Sequence, residues 1–261
     1  MALLESFSHL IAPVGKGELA SGLHGHGRMA EPEDLLQRIN EFFLTAQSLS
    51  GKKVLITAGP TYEAIDPVRF IGNFSTGKMG TALATVFRDR GAKVTLVAGP
   101  MTAEPPSGIE VINVVSAQEM YDACMQHFSD CDIAVLAAAV ADYRPDTTAT
   151  QKIKKQHNEM NIQLTQTTDI LKSLGELKRD NQILVGFALE TTDEESNAKQ
   201  KLIAKKADFI VLNSLRDEGA GFGGNTNKIT IFGKDGSSNA FELKSKAAVA
   251  ADIVNTITAI P

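Results

Sequence analysis

The stretch GNFSTGKMG, residues 72–80, places Gly72, Gly77 and Lys78 at the spacing of a phosphate-binding loop. Such a loop follows its strand directly and carries a Ser or Thr after the lysine to ligate magnesium. Here that position is Met79, whose thioether does not bind Mg2+, and some 12 residues, Pro60, Asp66 and Pro67 among them, separate the glycines from the preceding apolar run. The loop therefore fails that reading twice. What remains is the physics of a helix start. Gly77 and Gly80 permit close backbone approach, Ser75 and Thr76 are capping residues, and unpaired N–H groups at a helix N-terminus favour an anion. On these residues alone, a cap that binds nothing is an equal alternative.

A second candidate is AAAVADYRP, residues 137–145. Its small side chains let a ring or a phosphate chain reach the backbone, and Asp142 would read a donor on a ligand, although a turn aspartate explains it as well. KIKK, residues 152–155, puts Lys152 and Lys154 on one face of any strand formed there, as a lid over a polyphosphate would need, but most lysine runs are simply solvated. Lys201 and Lys205 stand four apart on an expected helix, which is unfavourable unless an anion lies between them. A dinucleotide fingerprint is the weaker rival: no G-x-G-x-x-G follows the first strand, and KVTLVAG ends without a ribose-binding acid. His24 and His26 have no third ligand in sequence, and Cys124 and Cys131 read as reduced, buried thiols without metal-ligand spacing.

These residues need a scaffold. Apolar runs at 54–59, 93–99, 109–114, 132–139, 182–188 and 208–213 lack polar alternation, as strands buried on both faces do, and helical stretches lie between them. The expected fold is α/β, a Rossmann-like doubly wound, mostly parallel sheet. Ser116–Glu119 and Thr192–Glu195 read as capping boxes opening helices over 117–129 and 193–206. Between Asp142 and Thr168 the alternation of Met160, Ile162 and Leu164 with polar residues predicts an antiparallel flap or arm. A glycine-rich loop at 219–227, a strand pair around 228–243 and a closing helix complete residues 51–261, while residues 1–50 offer a glycine-rich loop and one amphipathic helix.

With 43% hydrophobic and 22% charged residues the composition is that of an ordinary globular protein, and a net charge of -5 supplies no basic field for nucleic acid. No apolar run reaches the roughly 20 residues of a membrane span, and no basic flank precedes one at the N-terminus, so a cytoplasmic location is expected.

Taken in order, ITAGPTYEAIDPVRFIGNFSTGKMG, AAAVADYRP, KIKK, VGFALET and NKITIF closely resemble phosphopantothenoylcysteine synthetase of the bacterial, CTP-dependent kind, over residues 51–258. The resemblance implies a ligase of coenzyme A biosynthesis that joins 4'-phosphopantothenate to L-cysteine, using CTP with Mg2+. It implies Asn73 at the substrate carboxylate, with Arg69, Ala138, Ala139 and Asp142 as substrate contacts and Arg69 reaching across a homodimer. Gly59, Ser75, Gly77, Gly80, Ala137, Ala138, Asp142, Phe187, Lys201, Lys205 and Asn213 would hold the nucleotide, and Lys152 would close over the reacting phosphate. Thr168, Asp169, Ile170 and Leu171 stand where the family usually has Pro-Asp-Ile-Val. Residues 1–50 resemble the tail of a flavin-dependent decarboxylase half, with Ser21 where that family carries a catalytic cysteine and without most of the flavin-binding domain, so neither decarboxylase activity nor FMN is expected of these residues. Readings of other kinds are a Rossmann-type NAD(P) oxidoreductase and a non-catalytic nucleotide-binding subunit.

Overall fold

The computed structural model describes residues 11–18, 21–154, 159–190, 192–214 and 224–259. The chain divides into two compact units, Met1–Ser48 and Leu49–Pro261. In the first, β1 (Gly15–Glu18) pairs antiparallel with β2 (His24–Arg28), and α1 (Pro32–Ala46) follows. The hairpin replaces the glycine loop expected there, and it places His24 and His26 on a strand.

The second unit is built on β3 (Lys53–Ala58), β6 (Lys93–Ala98), β7 (Glu110–Asn113), β8 (Ile133–Leu136), β11 (Ile183–Glu190), β12 (Phe209–Ser214), β13 (Thr226–Gly233) and β14 (Ser238–Ser245). They form one sheet in the order β14-β13-β12-β11-β8-β3-β6-β7. The six strands from β12 to β7 run parallel, and β13 and β14 close the other end as an antiparallel hairpin. The strand order reverses between β3 and β8, which is where open α/β sheets bind ligands.

The expected apolar runs are these strands, and their period of two divides the core. Val54 and Ile56 face α2 (Lys78–Asp89) and α6 (Lys246–Thr258), packing with Leu83, Phe87, Val249 and Ile253. Leu55 faces the opposite layer of α3 (Ala117–Phe128), α4 (Ile170–Leu177) and α5 (Glu194–Ala204), with Met120, Leu174, Leu184 and Leu202. Each fully buried side chain of this size stabilises the fold by about 1.5–3 kcal/mol. Cys124 and Cys131 lie buried and unbridged in the second layer, where loss of solvation pushes both thiols up to about 12. No described helix is long and apolar enough to cross a membrane.

The capping expectations divide. Ser116 Oγ accepts from Glu119 N–H at 3.2 Å, but the Glu119 carboxylate takes the Val115 N–H at 2.7 Å, one residue earlier than a capping box requires. At α5 the box is absent: the cap is Asp193, with φ 46° and no side-chain cap hydrogen bond, while Glu195 pairs with Lys199 at 2.6 Å. The arm is shorter than its alternation suggested. Only β10 (Leu164–Gln166) pairs, with β9 (Tyr143–Pro145), and Met160 and Ile162 belong to no strand. Lys152 and Lys154 are exposed on irregular backbone, so no strand puts them on a common face; Lys155 lies outside the described residues, as does most of the 219–227 loop. A second small hairpin, β4 (Tyr62–Ala64) with β5 (Phe70–Gly72), fills the chain between β3 and α2.

Candidate active site

A cleft of about 420 Å3 opens at the carboxyl ends of β3, β8, β11 and β12, at the strand-order reversal. Its floor is the segment leaving β8. Ala138 N–H donates to Thr57 Oγ1 at 3.1 Å, Ala139 N–H to Gly59 O at 2.9 Å, and Ala141 N–H to Thr61 Oγ1 at 3.0 Å. Thr167 secures the other side, its hydroxyl donating to Ala141 O at 2.7 Å and its N–H to Asp142 O at 2.9 Å. The floor is thus held by backbone and hydroxyls, and only Ala137, Ala138, Ala139 and Val140 face the opening between Leu136 and Asp142.

The Asn73 amide reaches across this floor and donates to Ala139 O at 3.0 Å and Val140 O at 3.1 Å. Its carbonyl oxygen is directed by that pairing, so the side chain is an oriented dipole rather than a free rotor.

Beside Asn73 the chain enters α2. The cap is Gly77 in the left-handed region, φ 80°, and no side chain caps the helix; Ser75 Oγ only meets the Gly77 N–H at 3.4 Å. The first N–H groups of a helix have no partner within it, and they carry the positive end of its dipole into the cleft. The two glycines answer to packing more than to a ligand: a Cβ on Gly80 would lie 2.5 Å from Ala58 Cβ, and one on Gly77 would run into the Met101 side chain. They let α2 sit directly against β3, which brings its N-terminus to the strand ends.

The remaining wall is polar. Asp169 caps α4, accepting Lys172 N–H at 2.8 Å, and takes Lys205 Nζ at 2.6 Å. Burial pushes its carboxyl up, but the Lys205 hydrogen bond, the Lys172 N–H and the lysine charges outweigh that and hold it below the usual value. Lys201 Nζ donates to Phe187 O at 2.8 Å. The i,i+4 lysine pair is therefore not left facing itself, since each ammonium has a different acceptor. Asn213 Oδ1 accepts from Asn227 Nδ2 at 3.1 Å.

Of the expected residues, the cleft gathers Asn73, Ser75, Gly77, Gly80 and Ala137 to Ala139, then Asp142, Thr168 to Leu171, Phe187, Lys201 and Asn213. Gly59, Arg69, Lys152 and Lys205 are not on its wall. Gly59, at φ 81°, supports the floor from below. Arg69 is engaged in its own chain, with Nη1 on Asp66 Oδ2 at 3.0 Å and Nη2 on Ile153 O at 3.2 Å. Thr57, Lys78, Gln166, Asn227 and Lys246 also line the cleft. Thr57 was visible as a lone hydroxyl in an otherwise apolar strand; Lys246, at a strand-to-helix junction, had no local signal at all.

A family model described as the DNA/pantothenate metabolism flavoprotein C-terminal domain matches residues 49–260. The chain belongs to that family. It is 48% identical to the coenzyme A biosynthesis bifunctional protein CoaBC of Bacillus subtilis, over 94% of this chain and 61% of that protein. It is also 55% identical to a protein from an unknown prokaryotic organism named cysteine/cysteine sulfinic acid decarboxylase, over 98% of this chain and 72% of that one. Among solved structures, the C-terminal domain of a CoaBC superposes with a TM-score of 0.69 at 45% identity, covering 81% of this chain and 96% of the domain. The chain spans about six-tenths of the length of its CoaBC relatives. These matches agree with the resemblance read from the ordered motifs, and the family's domain coincides with the second compact unit.

Proposed function

We propose that the cleft is the ligase site of coenzyme A biosynthesis, joining 4'-phosphopantothenate to L-cysteine at the expense of CTP. The observation that carries this reading is the Asn73 amide fixed on the Ala139 and Val140 carbonyls beside the open start of α2. An oriented neutral dipole can hold a carboxylate without adding charge, and the adjacent helix start suits the phosphate that the carboxylate attacks. A substrate carboxylate oxygen attacks the α-phosphorus, the bond to the bridging oxygen breaks, and pyrophosphate leaves an acyl-cytidylate. The cysteine amine then attacks the acyl carbon, and CMP departs with the C–O bonding pair. The small floor of Ala137 to Ala139 lets both substrates lie against the backbone, and 420 Å3 is a fitting size for a nucleotide site.

Among the described residues no three His, Cys, Asp or Glu side chains gather as a metal site. The polar wall is instead rich in ammonium groups and amides, a donor set for phosphate oxygens. Mg2+ would thus arrive on the triphosphate, keeping waters and phosphate oxygens as ligands and supplying charge neutralisation.

Lys152 would act from the arm after closure, since it stands exposed and off the cleft wall in this state. A homodimer fits the exposed apolar side chains around the β4–β5 hairpin, where Phe74 is 92% and Val68 60% exposed. Sedimentation of Phe74→Asp checks this; a parent protein that sediments as a monomer would remove the dimer from the reading.

The deciding assay is pyrophosphate release from CTP with 4'-phosphopantothenate, with and without cysteine, and repeated with ATP. Release that needs phosphopantothenate and turns over with cysteine supports the ligase. Nucleotide binding without release points to a non-catalytic subunit. Carbon dioxide release from cysteine without nucleotide would move the reading to the activity in the 55%-identical relative's name.

A further inference from the structure

Lys78 and Lys246 open two different helices, α2 and α6, yet both line the cleft. Their ammonium groups are held on neighbouring residues: Lys78 Nζ donates to Asn225 Oδ1 at 2.8 Å and Lys246 Nζ to Gly224 O at 2.8 Å. Lys246 is only 9% exposed. Its burial, and after that the charge of Lys78, press its proton affinity below that of an ordinary lysine. Two ammonium groups lining one cleft beside a helix start suit a multiply charged anion, whose charge offsets the repulsion between them. The positive end of α2 adds to the same field, because Lys78 directly follows its Gly77 cap. The Asn213 and Asn227 amides line the same cleft and bring dipoles without charge.

We propose that Lys78 and Lys246 form a pyrophosphate subsite, holding the β- and γ-phosphates of the nucleoside triphosphate and then the pyrophosphate it releases. This rests on the ligase reading given above. In that step a carboxylate oxygen forms its bond to the α-phosphorus while the bond from that phosphorus to the bridging oxygen breaks. The electron pair goes to the departing pyrophosphate, whose new charge is what two ammonium groups stabilise most. The lysines act as electrostatic partners of the leaving group and transfer no proton.

The test compares the parent protein with Lys78→Met, Lys246→Met and Lys246→Arg, measuring the binding of inorganic pyrophosphate and, separately, of CMP. Loss of one charge-assisted contact should weaken pyrophosphate about tenfold or more in each methionine variant. CMP, which has no β- or γ-phosphate, should bind within about twofold of the parent, and Lys246→Arg should keep most of the pyrophosphate affinity. Unchanged pyrophosphate affinity in both methionine variants, or a parallel loss for CMP, overturns the subsite while leaving the ligase reading intact. If Lys246→Met does not fold, Lys78→Met decides, because Lys78 is less buried and its replacement keeps the stem. A parent protein that binds neither pyrophosphate nor CTP overturns the ligase reading itself, and the subsite falls with it.

Discussion

Asp66 binds Arg69 and the arm at once: its Oδ1 accepts the Val68 and Arg69 N–H groups at 2.8 and 2.9 Å, and its Oδ2 meets Arg69 Nη1 at 3.0 Å and Ile153 N–H at 3.1 Å. Burial opposes the ionised form, but three backbone N–H groups and the guanidinium more than offset it, so the carboxyl sits below the usual range. This one side chain therefore links the loop before β5 to the backbone that carries Lys152. Asp66→Ala should free residues 152–154 and speed tryptic cleavage after Lys152 and Lys154. The effect should stay local, since Ala149 N–H on Ile65 O and Thr148 on Ala64 O remain. Equal cleavage rates in variant and parent would mean that the arm is held by something else.

Asn73→Asp removes both amide donors and sets a negative charge against the Ala139 and Val140 carbonyls. Turnover should fall about a hundredfold or more, with a thermal midpoint close to the parent's because Asn73 is exposed. Steady-state kinetics beside thermal unfolding separates the two, and near-parental turnover would remove Asn73 from the proposed chemistry.

Gly77→Ala is expected to cost about 1–3 kcal/mol, from a left-handed backbone at φ 80° and from collision with Met101. Adding Met101→Ala should recover only part of that in denaturant titrations, because Met101 Cβ itself lies 2.8 Å from the new methyl and the φ strain stays.

Asp208 is buried and receives Lys178 Nζ at 2.7 Å, Lys234 Nζ at 2.6 Å and Leu184 N–H at 2.8 Å. Burial pushes its carboxyl up, but the two lysine hydrogen bonds and the N–H bring it below the ordinary aspartate value. A carboxyl depressed by folding stabilises the native state above its unfolded value and loses that contribution as pH falls through the folded one. Asp208→Asn should thus cost about 3 kcal/mol at pH 7. The gap between variant and parent should close as pH falls from the ordinary aspartate value through the lower folded one, which urea titrations across the acid range would show.

The six parallel strands were legible because Val, Ile and Leu runs buried on both faces leave an unmistakable pattern, and the order of the motifs carried the family. The β1–β2 hairpin was hidden by a sequence of glycines and histidines with no strand formers. Thr192–Glu195 had the letters of a capping box, yet the backbone turns one residue later, at Asp193, and Glu195 goes to Lys199. Sequence placed Asn73, Asp142 and Asp169 in one site through resemblance. It gave no hint of Lys246, because that lysine reaches the cleft only through the crossing of β13, β14 and α6, a tertiary relation with no local trace.

The two ends of the strand order have a further meaning for the protein at high concentration. β7 is only four residues long, and β14, exposed along nearly its whole length, carries Glu242 and Lys244. A short strand gives little purchase for an incoming chain, and charged side chains on an edge strand resist being covered by one. The sheet is thereby a poor template for its own extension by backbone pairing.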